Sequence, residues 1–445
     1  MSDSWTTLPL GVPRRRALEQ SLRSAIRDGR LGAGTRLPST RALAQDLGLA
    51  RGTVLESYAQ LEAEGYLDSR HGAGTWVAEV QVAGPRVAHP DTATPPPRFS
   101  FHPGLPDLTA FPHAAWSAAL RRGLREAPAA SLGYGDPRGR PELREALAAY
   151  LARSRGAVAD PDSIVVCAGF RHGLSLLCRV LTGRVAMEDP CLPEHREVAA
   201  AAGLEVVPLP VDERGARTDL LGVACAAVLT PAHQYPLGMT LHRDRRAAAI
   251  AWARETGGLV IEDDYDAELR YDRQPVGALQ ALGPEHVAYG GTVSKTLAPG
   301  LRLGWLLLPP ALVEPIVALR RLEDVHVSAP DQIAFAELLR SGAYERHIRR
   351  MRVRYRARRD RLVAALPPAV TPVGISAGLR VLLELPGADA LAARAAERSV
   401  ELFPVGRNHH DDRPAADGVV VGYAALPEHD FAAGLAALAE LLRDY

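Results

Sequence analysis

The chain has 445 residues, length for two or three domains, and 47% of them are hydrophobic, which supplies a large core. Basic and acidic residues balance at 52 each, so no global field draws the chain to nucleic acid and any DNA contact needs a local patch. No apolar run is long enough to cross a bilayer, and residues 1–10 lack a signal-peptide pattern. The cysteines Cys167, Cys178, Cys191 and Cys225 have neither metal-ligand spacing nor the density of a disulfide scaffold. A soluble, reduced, cytoplasmic protein with no membrane partner is expected.

Leu18, Leu22 and Ile26 fall at i, i+4 and i+8 and predict a first helix with one apolar face. Pro38-Ser39-Thr40 caps a second helix carrying Leu43 and Leu47, and Gly48 ends it. Arg51-Gly52-Thr53 opens a third, with Val54, Tyr58 and Leu61 inward. Two short helices across a glycine-containing turn make a helix-turn-helix. Residues 66–69 and 75–77 predict the strands of a wing around His71-Gly72-Ala73-Gly74.

This segment closely resembles the GntR winged helix, in Leu37-Pro38-Ser39-Thr40-Arg41, in Arg51-Gly52-Thr53-Val54 and in Leu61-Glu62-Ala63-Glu64-Gly65-Tyr66. The resemblance implies that Ser39, Arg41, Arg51 and Thr53 touch phosphates or base edges of double-stranded DNA. It also implies that Arg70 and His71 on the wing approach the minor groove or backbone. The first turn of a recognition helix suits that role. Residues 1–78 hold ten arginines against eight acids, so the motif carries this assignment and the charge does not.

Residues 82–98 lack a hydrophobic period and are rich in proline, as in a semi-stiff spacer. The expected organisation is a DNA-binding domain over 1–79, a linker over 80–98 and a large domain over 99–445. In the large domain, apolar runs near Val165, Val185, Val206, Val228 and Val260 alternate with helical segments. That alternation predicts a mostly parallel sheet with helices on both faces. Gly169 lies between one such strand and a helix, where free backbone N–H groups suit a phosphate.

Lys295 is the only lysine in the chain, so 51 of the 52 basic residues are arginine. Arginine replaces lysine readily as surface charge but is never deprotonated, and so cannot form a Schiff base. A lone lysine is therefore a candidate for covalent chemistry with a carbonyl cofactor. Thr292, Ser294 and Arg302 place two hydroxyls and a guanidinium around it, suited to a phosphate. Upstream, the apolar run from Val260 ends in Glu262-Asp263-Asp264-Tyr265-Asp266, and a strand-end Asp suits a protonated pyridine nitrogen.

Thr230-Pro-Ala-His-Gln-Tyr-Pro-Leu-Gly238, Glu262 to Asp266, and Ser294-Lys295 with Arg302 together resemble the pyridoxal-phosphate (PLP) domain of the MocR-type regulators. These join a GntR winged helix to a fold-type-I aminotransferase-like domain with a small C-terminal α/β subdomain. The resemblance implies a PLP Schiff base on Lys295, Asp263 at the pyridine nitrogen with Asp264 as the alternative, and Tyr265 at the ring hydroxyl. It assigns phosphate contacts to Gly169, Phe170, Arg171, Thr292, Ser294 and Arg302. Tyr134, in Leu132-Gly-Tyr-Gly-Asp-Pro-Arg-Gly139, is expected to reach a phosphate, that of a partner subunit included. Arg407 is expected to hold an effector carboxylate, with Arg380 and Arg413 as rivals.

The resemblance also implies a head-to-tail, domain-swapped homodimer whose effector is PLP or an amino compound. An active aminotransferase carrying a DNA tether is the alternative. The arginine-rich stretch from Arg346 to Arg361 is expected to be a solvated helix face rather than a DNA contact. One departure stands out: Glu188-Asp189-Pro190-Cys191-Leu192 replaces the family's Glu-Asp-Pro-Gly-Tyr. The tyrosine missing at Leu192 leaves cofactor attachment intact and the effector open; His195 and Arg196 are candidates for its place, with plain helix surface as the alternative.

Overall fold

In the computed structural model, which describes residues 14–70, 73–79, 96–271, 276–410 and 417–443, the chain divides into two units, Met1–Thr94 and Pro95–Tyr445. His71, most of the linker and Arg413 lie outside the described residues.

The first unit holds α1 (Arg14–Arg27), α2 (Thr40–Leu47), α3 (Arg51–Ala63), β1 (Leu67–Arg70) and β2 (Gly74–Val77). Leu18, Leu22 and Ile26 of α1 pack on Val54, Tyr58 and Leu61 of α3, the faces that their spacing predicted. Ser39 caps α2, its Oγ accepting from the Ala42 N–H at 3.2 Å. Gly48 ends α2 in the left-handed region at φ 61°, which glycine adopts without a Cβ penalty. The Tyr58 hydroxyl donates to the Pro38 carbonyl at 3.0 Å and so ties the entry of α2 to α3. Strands β1 and β2 pair antiparallel as the wing, Leu67 opposite Val77.

The second unit begins with β3 (Phe99–Ser100), α4 (His113–Glu126), α5 (Pro141–Arg155), β4 (Ile164–Cys167), α6 (Phe170–Val180), β5 (Arg184–Asp189) and α7 (Pro193–Ala201). It continues through β6 (Glu205–Asp212), β7 (Gly215–Ala216), β8 (Ala226–Leu229), α8 (Arg243–Thr256), β9 (Leu259–Asp264), β10 (Val287–Thr292) and β11 (Gly304–Leu307). Then come α9 (Pro310–Glu323), α10 (Ala329–Arg340), α11 (Ala343–Ala364), β12 (Thr371–Val373), β13 (Arg380–Glu384) and α12 (Ala388–Glu397). The unit closes with β14 (Val400–Glu401), β15 (Phe403–Pro404), β16 (Gly418–Gly422) and α13 (Glu428–Leu441).

Among the described residues an eight-stranded sheet runs β4-β11-β10-β9-β8-β5-β6-β7. The pairs from β10 through β6 are parallel; β11 runs antiparallel to both its neighbours. The central strand β9 is buried along its whole length, as expected where helices cover both faces of a parallel sheet. Its C-terminal end delivers the acidic run, and the register sets Asp263 beside Gly290.

A smaller four-stranded sheet, β12-β13-β16-β15, packs with α12 and α13 over a second core. The stretch Val400 to Pro404 is split between two sheets. Val400–Glu401 pairs with Phe99–Ser100, and Phe403–Pro404 pairs with β16, so the chain changes partner at buried Leu402. The first and last parts of the second unit are thereby stitched together.

The arginines of α11 divide in two. Arg346, Arg349, Arg350 and Arg356 are exposed, while Arg358 is buried. Its guanidinium bonds Asp107 at 3.1 Å, Glu428 at 2.8 Å and the Ala424 carbonyl at 2.8 Å, so this charge is part of the core and satisfied there.

Gly422 abuts the strand that leads to the cavity. A Cβ there would overlap the His102 carbonyl group, and the Gly422 N–H donates to Phe101 at 2.8 Å, so neither backbone can yield. Gly422→Ala is expected to destabilise the second unit by about 1–3 kcal/mol, read as a lower urea midpoint.

Candidate functional site

The cavity of about 820 Å³ at the C-terminal end of the large sheet is lined by Lys295, Asp263, Tyr265, Gly169, Phe170, Arg171, Thr292, Ser294, Arg302, Arg380 and Arg407, among others. Open parallel sheets place ligands at this end. Lys295 follows β10, and its Nζ donates to the Gly104 carbonyl at 2.7 Å, across 191 positions of sequence. Burial, and next the positive charge of Arg380, hold its pKa below the usual lysine value. The amine is thus held at the cavity wall and gives up its proton more readily than a surface lysine.

Alternation along β9 separates the two candidate aspartates. Asp264 points away from the cavity: Arg155 donates to it at 2.7 Å and the Tyr289 hydroxyl at 2.8 Å. Asp263 lines the cavity, 5% exposed, and its Oδ1 is buried without a hydrogen-bond partner. Burial, reinforced by the Asp264 carboxylate, pushes its pKa well above the ordinary value. A buried acceptor without a donor calls for one from a ligand.

Gly169 stands just before α6 at φ 90°, and no side chain caps that helix. A Cβ on Gly169 would stand 3.6 Å from the Arg302 Nη1, 3.9 Å from the Thr292 Oγ1 and 4.0 Å from the Ser294 Oγ. Those two hydroxyls are 2.9 Å apart. Helix N–H groups, two hydroxyls and a guanidinium around a space that a methyl would fill make a cradle for a phosphate. Arg171, assigned to the same cradle, is exposed and lies 3.6 Å from Glu194.

The Tyr265 hydroxyl donates to the His233 carbonyl at 2.7 Å and accepts from Arg380 at 2.6 Å. Arg380 is 4% exposed, sits with its guanidinium carbon 4.3 Å from the Tyr235 ring centroid, and its Nε has no hydrogen-bond partner. Arg407 is exposed at the rim. His195 meets the Phe170 ring at 5.3 Å between centroids, and burial holds its pKa down at about 3, so the ring is neutral. Arg196 bonds instead to the carbonyls of Asn408 at 2.6 Å and His409 at 2.9 Å and ties down the rim. Tyr134 is not part of this cavity; it is 95% exposed.

In the first unit Arg41, Arg51, Ser39 and Arg70 are exposed, and Thr53 is partly so. Arg70 lies 5.8 Å from the Trp76 ring.

Sequence reasoning missed Gly104 and Glu188. Glu188, on β5, accepts from the Thr230 N–H at 3.1 Å and from the Thr230 hydroxyl, and burial pushes its pKa up to about 7. Burial does the same to Glu262 and Glu268, both to about 7. A carboxyl with a raised folded-state pKa binds a proton that the unfolded chain has released. The share of stability that these three carboxyls contribute is therefore expected to fall as pH rises from about 4.5 to about 7, against the share of neutral His195, which rises up to about pH 6.5. Thermal midpoints of the wild type and Glu188→Gln at pH 5, 6, 7 and 8 check this: the wild type is expected to fall further behind the variant across that span, and a constant difference contradicts it.

An orphaned acceptor, an anion cradle and a buried amine on one cavity fit a phosphorylated pyridine aldehyde. The gntR family of bacterial regulatory proteins matches residues 14–77, and the aminotransferase class I and II family matches residues 105–411. The chain is 35% identical over 431 residues to the pyridoxine biosynthesis transcriptional regulator PdxR of Corynebacterium glutamicum, covering 94% of this chain and 93% of that protein. It is 34% identical over 460 residues to the probable rhizopine catabolism regulatory protein MocR of Rhizobium meliloti, covering 96% of this chain and 93% of that one. Among solved structures it is similar to the kynurenine aminotransferase of Pyrococcus horikoshii, with TM-score 0.71 and 25% identity over 79% of this chain and 92% of that chain.

Proposed function

Since the chain belongs to the MocR-type family of PLP-dependent, DNA-binding transcriptional regulators, we propose that the cavity around Lys295 is the site through which it senses its effector. The single observation that carries this reading is the unpartnered, buried Asp263 Oδ1 beside the lysine. When bound, PLP supplies a carbonyl that captures amines covalently and a ring that delocalises negative charge. Lys295 provides the attachment point. Asp263 would accept the hydrogen of the ring nitrogen, and the hydroxyl of Tyr265 would serve the ring oxygen. Gly169, Phe170 and Arg171 with Thr292, Ser294 and Arg302 hold the phosphate.

The effector is PLP itself or an amino compound. For a carboxylate on that compound, Arg380 lines the cavity as a buried guanidinium whose Nε lacks a hydrogen-bond partner, while Arg407 offers an exposed guanidinium at the rim. Two arginines at different depths suit a ligand with two acidic ends. A ligand moves DNA affinity only by binding two conformations unequally. In this reading the protein acts in the cytoplasm as a head-to-tail homodimer on two half-sites. Tyr134, exposed and outside its own cavity, is available to a partner's phosphate.

The test is binding of the purified apo chain to its own upstream DNA, with and without PLP. A change with PLP alone makes the protein a PLP sensor. No change with PLP directs the search to amino compounds added to the loaded form. Absence of specific binding in both states sinks the reading and favours an aminotransferase with a DNA tether. The lowered proton affinity of Lys295 suits that chemistry too, and multiple turnover of an amino acid with a keto acid would reveal it.

A further inference from the structure

Helix α3 divides into three faces. Val54, Ser57, Tyr58 and Leu61 are buried. The adjoining flank carries Glu56, and Glu64 follows at the C-terminal cap; α1 neutralises both, Arg15 reaching Glu56 at 3.0 Å and Arg23 reaching Glu64 at 2.8 Å. The stripe left to solvent is Arg51, Gly52, Leu55 and Ala59, with Glu62 at its far end accepting from the Ser69 hydroxyl at 2.9 Å. At 3.6 residues per turn, Leu55 lies one turn beyond Arg51 on the same stripe, with Gly52 and Ala59 beside it.

Two features of this stripe are not explained by the fold. Leu55 is 56% exposed and is the only large hydrophobic side chain so exposed among the described residues of the first unit. Gly52 is in open space: a Cβ there would meet nothing within 4 Å, and its φ is not in the left-handed region. A glycine in a helix that neither packing nor dihedral requires costs about 1 kcal/mol relative to alanine. Both features are unfavourable in water, and both are suited to close approach by another surface.

We propose that Leu55 reads the 5-methyl group of a thymine in the major groove, with Gly52 and Ala59 leaving room for the base-pair edge. The proposal rests on the DNA-binding role of the first unit and adds to it a base chemistry. The thymine methyl is the one apolar group on the floor of the major groove, and apolar side chains contact it. Exposed Arg51 and Arg41 supply the charge that brings the phosphates alongside, and the α1 arginines remove the repulsion that Glu56 and Glu64 would otherwise exert. Leu55 then buries its side chain on binding, and uncontacted cytosine or uracil offers it nothing.

The experiment selects duplexes from a random library with the full-length chain, at fixed salt. Each thymine of the enriched duplex is then replaced singly by deoxyuridine, which removes the methyl alone. The expected result is a thymine in each half-site where deoxyuridine weakens the wild-type chain about fourfold, the value of one buried methyl, and leaves Leu55→Ala unaffected. Leu55 is exposed, so the variant is expected to fold, and the deoxyuridine series on the wild-type chain reads the contact without any substitution. Enrichment with no methyl-dependent position overturns the proposal, as does equal methyl dependence in wild type and Leu55→Ala. Failure of the wild type to enrich any sequence overturns the DNA-reading role together with it.

Discussion

Lys295→Ala is expected to abolish covalent retention of PLP. Borohydride treatment of the loaded wild-type chain should fix a single adduct at Lys295, seen by intact mass and peptide mapping, and should fix none in the variant. The chain makes this test unusually clean, because it has no other lysine and the only other amine of the kind is at the chain terminus. The Lys295 Nζ is already held at the cavity wall by the Gly104 carbonyl at 2.7 Å, and burial keeps its proton affinity low, so the reacting form is populated at a lower pH than for a surface amine. Any response of DNA binding to PLP should vanish in the same variant. Lys295→Arg, which keeps the charge but never deprotonates, should fail equally. An adduct persisting in Lys295→Ala would contradict the assignment outright.

The second large effect separates two adjacent aspartates. Asp263→Ala is expected to weaken retention of PLP by roughly 10²–10⁴-fold, the consequence of about 3–5 kcal/mol when one partner of a buried charged pair is removed. Folding of the apo chain should survive, since the Asp263 Oδ1 is buried without a partner there and its removal relieves a desolvated group. Asp264→Ala should behave in the opposite way. It strips Arg155, which is 3% exposed, of its 2.7 Å partner beneath the sheet and leaves a cation uncompensated. Its expected effect is a loss of stability of similar size. Urea midpoints of the apo proteins and spectroscopic titration with PLP distinguish the two. Equal effects of both substitutions on both readouts would contradict the division of labour along β9.

Several elements were legible because their signals are local. The helices of the winged helix follow from the spacing of Leu18, Leu22 and Ile26 and of Val54, Tyr58 and Leu61, and all six side chains are buried where that spacing put them. Gly169 between a strand and a helix, and hydroxyls two residues apart before Lys295, are likewise short-range patterns. The Leu192 departure also resolves partly: His195 does line the cavity against Phe170, while Arg196 turns to the rim backbone.

What resisted reading is long-range. The two-part organisation, the strand that ends in acids, and the one residue able to supply a neutral amine were readable residue by residue, because each depends on side-chain chemistry or on periods of a few residues. The sequence left Asp263 and Asp264 as alternatives, since alternation says that neighbours face opposite ways but not which face carries the cavity. It offered no sign of Gly104 beside Lys295, of Arg358 entering the core from a basic helix, or of the change of sheet at Leu402. The folded chain settles all of these. Each is a contact between segments far apart in the chain, and which polar group is buried, paired or left without a partner depends on what the fold brings opposite it.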